Sequence, residues 1–324
     1  MPESELIAGT AGRRDRVLLV GVARSGTSWV GRAFGKAPHV RFYYEPDNID
    51  ADPTGERPAG GRGFGPYPMI DGDQGNTAFS PVWDWVFSGR SPFSRKGNRM
   101  RAVGQVALRL PRPVRDSLLR ATASMSSRMP ATSDWKIAKT IYATFSLDWL
   151  VQRYQPQVIA IQRNPLNVIS SWRQLQIPLF DLATRPEIRD RYIDPGIIPA
   201  LHPRASELAR IAWHVGLLTH ATGDALERHP EWHLFTHEDL CVDPVESIRT
   251  VFDAVHVPWS ADVERFLEET NRPGEGLEPV RVTAEQPDRW RQRLTQDEAA
   301  EIDDILAGFP RRGWLRETAV SARA

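Results

Sequence analysis

The chain has 324 residues, of which 41% are hydrophobic and 25% are charged, the balance of a globular protein long enough to bury a sizeable core. Its 41 basic and 41 acidic residues cancel, so the overall charge does not indicate a nucleic-acid or anionic-membrane partner. The single cysteine, Cys241, excludes an intramolecular disulfide. The first 16 residues lack the apolar stretch of a signal peptide and no run is long enough to cross a bilayer, so we expect a soluble, cytoplasmic protein.

Short apolar runs alternate with amphipathic segments along most of the chain. Strands are predicted at 16–22, 39–46, 133–142, 157–163 and 232–240. Helices are predicted at 27–37, 144–154, 165–175, 205–229, 243–257 and 288–306. This alternation predicts a P-loop-type three-layer α/β/α fold with a central parallel sheet and an irregular, partly helical insertion, with residues 1–324 as one domain.

Two segments depart from the alternation. Residues 1–15 are polar and predict a flexible tail. Residues 47–130 are dense in glycine and proline and then in aromatic and basic residues. Because disordered segments are usually poor in aromatic residues and long loops in compact domains are often functional, we interpret 47–130 as an ordered lid or acceptor-binding insertion. A disordered insertion is the alternative.

The segment from Gly21 to Ser28 joins the first predicted strand to a helix. Its glycines, Gly21 and Gly26, would let the backbone approach a bound anion, and a helix N-terminus would direct N–H groups at the same point. ATP- and GTP-binding loops carry a lysine after the second glycine, but Thr27 occupies that position and the cation, Arg24, lies within the loop. The segment predicts a phosphate-binding loop without the usual lysine; a strand–helix turn with no ligand is the alternative.

The sequence RSGTSWVGRAFG, which contains this loop, resembles the 5′-phosphosulfate loop of the sulfotransferases that use 3′-phosphoadenosine 5′-phosphosulfate (PAPS). QVIAIQRNPLNVISSW resembles their 3′-phosphate motif, in which Arg163 ends a strand and Ser171 follows eight residues later. LFTHEDLCVDP and DRWRQRLT resemble two further recurrent segments, so the matches extend from about residue 16 to 306 and miss 47–130. VRFYYEP and KIAK resemble the branch of the family that sulfates carbohydrates.

The resemblance implies transfer of a sulfuryl group from PAPS to an acceptor hydroxyl by in-line displacement. Arg24 and Lys139 would stabilise the charge that develops on the leaving phosphate, with Lys136 as a second candidate. Glu45 is the predicted general base, because it ends the strand beside the loop, where open α/β sheets bind their ligands. A surface carboxylate or an ion-pair partner of Arg24 is the alternative interpretation of Glu45.

Donor binding is also assigned by resemblance. The predicted PAPS-binding residues are Arg24, Ser25, Gly26, Thr27, Ser28, Trp29, Arg163, Ser171 and Arg281. Arg163 as a forked donor and Ser171 as a hydroxyl would hold the 3′-phosphate, and Arg281 is a further candidate for that group. Trp29 would stack on the adenine or pack in the core, and both interpretations stay open. The transferred sulfuryl group carries less charge than a phosphoryl group, so we predict no metal requirement.

The general base has alternatives elsewhere in the chain. Aryl and steroid sulfotransferases carry a Lys-Thr-His sequence whose histidine is the base, but Ile141 follows Lys139-Thr140 here. His39, His214 and His237 are alternative bases, and each is also explained as a packed or surface histidine.

Two other functions are compatible with parts of the sequence. A P-loop kinase or NTPase acting on a small molecule would need the Walker lysine and a strand-end aspartate, whereas Thr27 and Arg163 occupy those places. A non-catalytic nucleotide-binding protein would be indicated if Glu45 and Lys139 lay far from the loop. The Glu-Pro feature favours a sugar hydroxyl as acceptor, with a lipid, a glycosylated natural product and a phenol as alternatives.

Overall fold

A five-stranded parallel sheet forms the centre of the computed structural model, in the order β2-β3-β1-β4-β5. The strands are β1 (Arg16–Val20), β2 (Val40–Tyr44), β3 (Trp135–Thr140), β4 (Gln157–Gln162) and β5 (His233–Thr236). The structure describes residues 15–48, 66–70, 79–87, 134–193, 198, 201–202, 204–274 and 280–310. The predicted P-loop-type α/β/α fold class is confirmed, because helices cover both faces of this sheet.

Ten helices accompany the sheet in the described part of the chain. They are α1 (Thr27–Phe34), α2 (Ser80–Phe87), α3 (Leu147–Tyr154), α4 (Pro165–Leu175), α5 (Pro186–Tyr192), α6 (Glu207–Arg228), α7 (His237–Val242), α8 (Pro244–Ala254), α9 (Ala261–Thr270) and α10 (Gln296–Ala307). Short 3₁₀ turns lie at Ala143–Ser146, Thr283–Glu285 and Arg289–Gln292.

Alternate side chains of β1 pack into different hydrophobic layers, as expected for a strand covered on both faces. Val17 and Leu19 pack with α1, α8 and α9, whereas Leu18 and Val20 pack with α2 and α3. A third cluster joins α4, α6 and α10 and reaches Val22, at the start of the loop after β1. The loop is therefore held between a covered sheet and a separately packed helical layer.

Two predicted boundaries differ from the structure because side chains cap helices there. The strand predicted at 232–240 ends at Thr236, whose hydroxyl accepts a hydrogen bond from the N–H of Asp239 and starts α7. The helix predicted at 288–306 begins with a 3₁₀ turn, and α10 starts only after Thr295, which forms a capping box with Glu298.

Most of the predicted insertion at 47–130 and residues 1–14 of the predicted tail lie outside the described residues. Within the insertion, α2 buries Trp83 and Phe87 against the sheet, and Tyr67 is also buried. The interpretation of 47–130 as a lid or acceptor-binding segment stays a prediction. No helix among the described residues is long and apolar enough to cross a membrane.

The strand register brings the predicted functional segments to one edge of the sheet. Val20 is opposite Thr140, Tyr44 is opposite Lys139 and Gln162 is opposite Thr236. The carboxyl ends of all five strands therefore meet, and the residues that follow them lie together at the edge where parallel sheets bind ligands.

Candidate active site

The loop after β1 has the geometry of an anion-binding turn. Gly26 has φ 91° and Arg24 has φ 78°, so the backbone turns sharply into α1. The N–H groups of Gly26, Thr27 and Ser28 donate to no acceptor in the parts of the chain that are described. Three successive unpaired N–H groups at a helix N-terminus are suited to an anionic ligand.

The two loop glycines are required by close contacts. A Cβ atom on Gly21 would lie 2.5 Å from the carbonyl oxygen of Ile161, and one on Gly26 would lie 2.4 Å from Cδ2 of His237. The loop is therefore fixed by β4 on one side and by α7 on the other. Thr27, at the place of the Walker lysine, is buried.

Arginines from three segments gather beside the loop. Arg24 donates through Nε to the hydroxyl of Ser171 at 3.1 Å, and Arg163 donates to the carbonyl of Arg24 at 3.0 Å and to that of Gln286 at 3.3 Å. Nε of Arg163 is buried and has no hydrogen-bond partner among the described residues. The structure thus brings together Arg24, Arg163 and Ser171, three of the residues selected from the sequence.

Besides being buried, the arginines of this group lower one another's pKa, and the Glu238 carboxylate opposes that lowering at Arg163. Burial lowers the pKa of Arg24, and the neighbouring Arg281 lowers it further. Burial lowers the pKa of Arg163 to about 10, and burial together with Arg289, Arg24 and Arg281 lowers the pKa of Arg293 to about 10. Arg24, Arg163 and Arg293 form no ion pair with a carboxylate of the described residues. Positive charges held close together disfavour one another's charged state, so this group is suited to a bound anion.

Arg293 was not selected from the sequence. It lies in the segment DRWRQRLT, in which the sequence predicts no site residue. Its proximity to Arg24 and Arg281 depends on how the segment after α9 folds back over α4, where Asn167 bonds the carbonyl of Pro287 at 2.7 Å and accepts from the N–H of Trp290 at 3.0 Å. Such a contact has no signature in local sequence.

On the other side of the loop, Glu45 and Lys139 form a buried ion pair. Nζ of Lys139 bonds Oε1 of Glu45, and Nδ2 of Asn48 donates to Oε2 of the same carboxylate at 2.6 Å. Burial lowers the pKa of Lys139, and the adjacent Glu45 carboxylate opposes that effect. Glu45 has φ 45°, an uncommon conformation for a residue other than glycine, so the turn after β2 holds its side chain in a defined place.

Tyr44 connects this pair to the loop. Its hydroxyl lies 3.2 Å from the hydroxyl of Ser28, and Nζ of Lys139 lies 4.8 Å from the centre of its ring. Glu45 and Lys139 therefore lie beside the start of α1, as a catalytic role would require. Asn48, which orients Glu45, was not selected from the sequence.

Lys136 is not part of this group. It is paired in register with Arg16 at the amino end of β1, and its Nζ donates to Asp15 at 2.6 Å. The strand carries Lys139 to the loop edge and leaves Lys136 near the opposite edge. The structure does not bring together the two lysines that the KIAK segment offered.

The three candidate histidines differ in position. His39 precedes β2, is mostly exposed and lies 3.7 Å from Asp134. His214 is buried in α6, and burial lowers its pKa to about 4. His237 is buried against Gly26, and burial, with Arg163 and Arg24, lowers its pKa well below the usual value. His237 is therefore a neutral packing partner of the loop near neutral pH.

Two remaining residues lie at the periphery. Trp29 is half-buried, packs against the core between α1 and α8 and meets the His237 ring edge-on, with 6.4 Å between centroids. The core interpretation is thus supported by contacts, and stacking on adenine stays a prediction. Arg281 lies close enough to Arg24 and Arg293 to lower the pKa of both, as its assignment to the 3′-phosphate requires.

No protein-family model and no curated protein matches the chain. Among solved structures, the sulfotransferase domain from the curacin biosynthetic pathway is similar at 12% identity and a TM-score of 0.42, over 91% of this chain and 97% of that one. Mouse sulfotransferase SULT7A1 complexed with PAP is similar at 12% identity and a TM-score of 0.43, over 97% and 88% of the two chains. Sulfotransferase STF9 from Mycobacterium avium is similar at 12% identity and a TM-score of 0.40, over 95% and 79%. Likeness of this size does not establish a shared activity.

Proposed function

We propose that this protein is a PAPS-dependent sulfotransferase that transfers a sulfuryl group to a hydroxyl of a carbohydrate or a glycosylated small molecule. The observation that carries the proposal is the arrangement along one sheet edge. A loop whose N–H groups donate to no described acceptor lies beside the buried Glu45–Lys139 pair on one side. On the other side lie Arg24 and Arg163, which form no ion pair with a carboxylate of the described residues. Two anion sites beside a carboxylate suit a nucleotide with separate phosphate groups and an acceptor that must lose a proton.

The residues present fit a donor with a 5′-phosphosulfate and a 3′-phosphate. The N–H groups of Gly26 to Ser28 would bind the 5′-phosphate, helped by the hydroxyls of Thr27 and Ser28. Arg163 and Ser171 would bind the 3′-phosphate, with Arg281 and the newly identified Arg293. The buried Nε of Arg163, which has no partner in the described part of the chain, supports this assignment, since buried donors are normally satisfied.

The Glu45–Lys139 pair would carry out the transfer. As the acceptor oxygen bonds to sulfur, the bond from sulfur to the 5′-phosphate oxygen breaks, and the acceptor proton passes to the Glu45 carboxylate. Lys139 and Arg24 would stabilise the charge gained by the leaving adenosine 3′,5′-bisphosphate (PAP). Lys139 and Asn48 both bond this carboxylate, which would hold it in position for that proton transfer.

The alternative functions are less well supported by the same residues. A kinase or NTPase would use a lysine where the buried Thr27 lies. A purely nucleotide-binding protein does not need a buried carboxylate–lysine pair beside the phosphate loop, and burying such a pair is costly. We therefore keep both as outcomes of the test.

Binding of PAP tests the proposal directly. PAP should raise the melting temperature of the protein, because a ligand that binds only the native state stabilises it, and ATP with Mg²⁺ should have little effect. Transfer of ³⁵S from labelled PAPS to a glycoside should then be measurable and should persist in EDTA. A clear shift with ATP and Mg²⁺ and none with PAP would overturn the proposal in favour of a kinase or NTPase.

A further inference from the structure

Asn167 is a fully buried polar residue in the first turn of α4, and both polar atoms of its side-chain amide bond the main chain of a distant segment. Its Nδ2 donates to the carbonyl of Pro287 at 2.7 Å, and its Oδ1 accepts from the N–H of Trp290 at 3.0 Å. These partners lie 120 and 123 positions away in the chain. Two bonds from one rigid amide fix both the position and the orientation of that backbone.

Two arginines close to Asn167 in the chain hold the same segment, residues 286–293. Arg163 donates to the carbonyl of Gln286 at 3.3 Å, and Arg173 donates to the carbonyl of Arg293 at 2.6 Å. Together with the amide, they hold the segment at its start, in its middle and at its end. Each of these bonds ends on a main-chain atom of the segment, so together they set where its side chains lie.

The bond to Trp290 bears most directly on the candidate active site. The carbonyl of Trp290 accepts from the N–H of Arg293 at 2.9 Å, so the position of one residue sets that of the other. Arg293 is half-buried and lies close to Arg24. Arg291, two positions earlier, is exposed and pairs with Asp288 at 3.0 Å. The turn held by the amide therefore directs one arginine to the site and the other to solvent.

We propose that Asn167 is a positioning residue for donor binding: through its bond to Trp290 it places Arg293 where the 3′-phosphate binds. The inference rests on the proposed function and adds to it a residue that acts without touching the donor. A charged side chain binds a phosphate best when surrounding contacts fix its place beforehand. Ser171, one helical turn after Asn167, contacts Arg24, so α4 would organise two donor contacts at once.

A double-mutant cycle on PAP binding, measured by isothermal titration calorimetry, tests this role. Asn167→Ala and Arg293→Ala are made singly and together. In a control cycle Arg291→Ala takes the place of Arg293→Ala, since Arg291 belongs to the same segment but is exposed. Every variant is also titrated with adenosine 5′-phosphate, which lacks the 3′-phosphate.

Asn167→Ala and Arg293→Ala should each weaken PAP binding by about tenfold, because a hydrogen bond from a charged group is misplaced or lost. The double variant should bind PAP almost as well as either single variant, since both changes remove the same contact. Arg291→Ala should change PAP binding by less than about twofold, as expected for an exposed arginine. Its effect should multiply with that of Asn167→Ala. Adenosine 5′-phosphate should bind every variant nearly as it binds wild type.

Two results would overturn the inference. In the first, Asn167→Ala weakens the binding of both nucleotides equally, as a general loss of structure would. In the second, its effect on PAP binding multiplies with that of Arg293→Ala.

If Asn167→Ala does not fold, hydrogen exchange of the Trp290 N–H in wild-type protein decides, because Asn167 accepts that N–H. PAP should slow this exchange more than adenosine 5′-phosphate does at equal saturation, and equal slowing would overturn the inference. A failure of the proposed function is recognised separately, by the absence of any stabilisation of wild type with PAP.

Discussion

Nε of Arg24 lies 3.1 Å from the hydroxyl oxygen of Ser171, although 147 positions separate the two residues in the chain. The contact joins the loop after β1 to α4, the two segments in which the sequence predicted separate phosphate sites. The loop arginine therefore faces the predicted 3′-phosphate site in this structure. In the proposed complex, Arg24 would therefore lie beside both phosphate sites of the donor.

Ser171→Ala should weaken PAP binding by about tenfold, because a hydrogen bond to a charged group is lost. Binding of adenosine 5′-phosphate, which has no 3′-phosphate, should change little. Ser170→Ala is the matched control, since the Ser170 hydroxyl is buried one position earlier and donates to the carbonyl of Asn167. Isothermal titration calorimetry measures the affinity of each variant for both nucleotides. If Ser171→Ala weakened the binding of PAP and of adenosine 5′-phosphate equally, the assignment of Ser171 to the 3′-phosphate would be contradicted.

Glu45→Gln should keep PAP binding and lower kcat by at least about a hundredfold, because general base catalysis contributes on that scale. The amide is close in size to the carboxylate but does not accept the acceptor proton. Glu298→Gln is a suitable control, as Glu298 pairs with Arg173 at the start of α10, away from Lys139. Initial rates with labelled PAPS give the comparison; an unchanged kcat would remove Glu45 from the mechanism.

Gly26→Ala should destabilise the protein by about 1–3 kcal/mol, because alanine is strained at φ 91° and its Cβ would meet His237 at 2.4 Å. The same change in a His237→Ala background should cost less, since the contact is gone and only the backbone strain remains. Urea unfolding of the four proteins measures the coupling. Additive effects would mean that His237 does not shape the loop.

Stability should fall between pH 7 and pH 5 in a way that depends on His214. Burial lowers its pKa to about 4, so in this range the unfolded chain binds a proton that the native state does not, and the free energy of unfolding decreases as the pH falls. Wild-type protein should lose about 2 kcal/mol more than His214→Phe between these pH values. Urea titrations at pH 7 and pH 5 give the free energy of unfolding of both proteins. If wild type and His214→Phe lost the same amount of stability, His214 would not be held neutral in the native state.

The strand–loop–helix unit and the Arg163–Ser171 pair were predictable because each is local and patterned. The sequence could not decide whether Lys136 or Lys139 lies in the site. That depends on which end of β3 meets the loop, and strand register is a tertiary property. The early end of β5 arises from one capping hydroxyl, Thr236, inside an otherwise strand-like run. The sequence does not predict the role of Asn48, because that role depends on the geometry of the turn after β2. It does not predict the role of Arg293 either, because Arg293 approaches Arg24 only through packing between segments distant in sequence.

The strand order also bears on how such an enzyme could change its specificity. Glu45 follows β2 and Lys139 lies on β3, whereas Arg163, Ser171 and the later arginines follow β4. β1 separates the two groups in the sheet. If the proposed function holds, replacing residues 40–142 by the corresponding segment of a similar protein should change the acceptor specificity. The hybrid protein should still use PAPS as the donor.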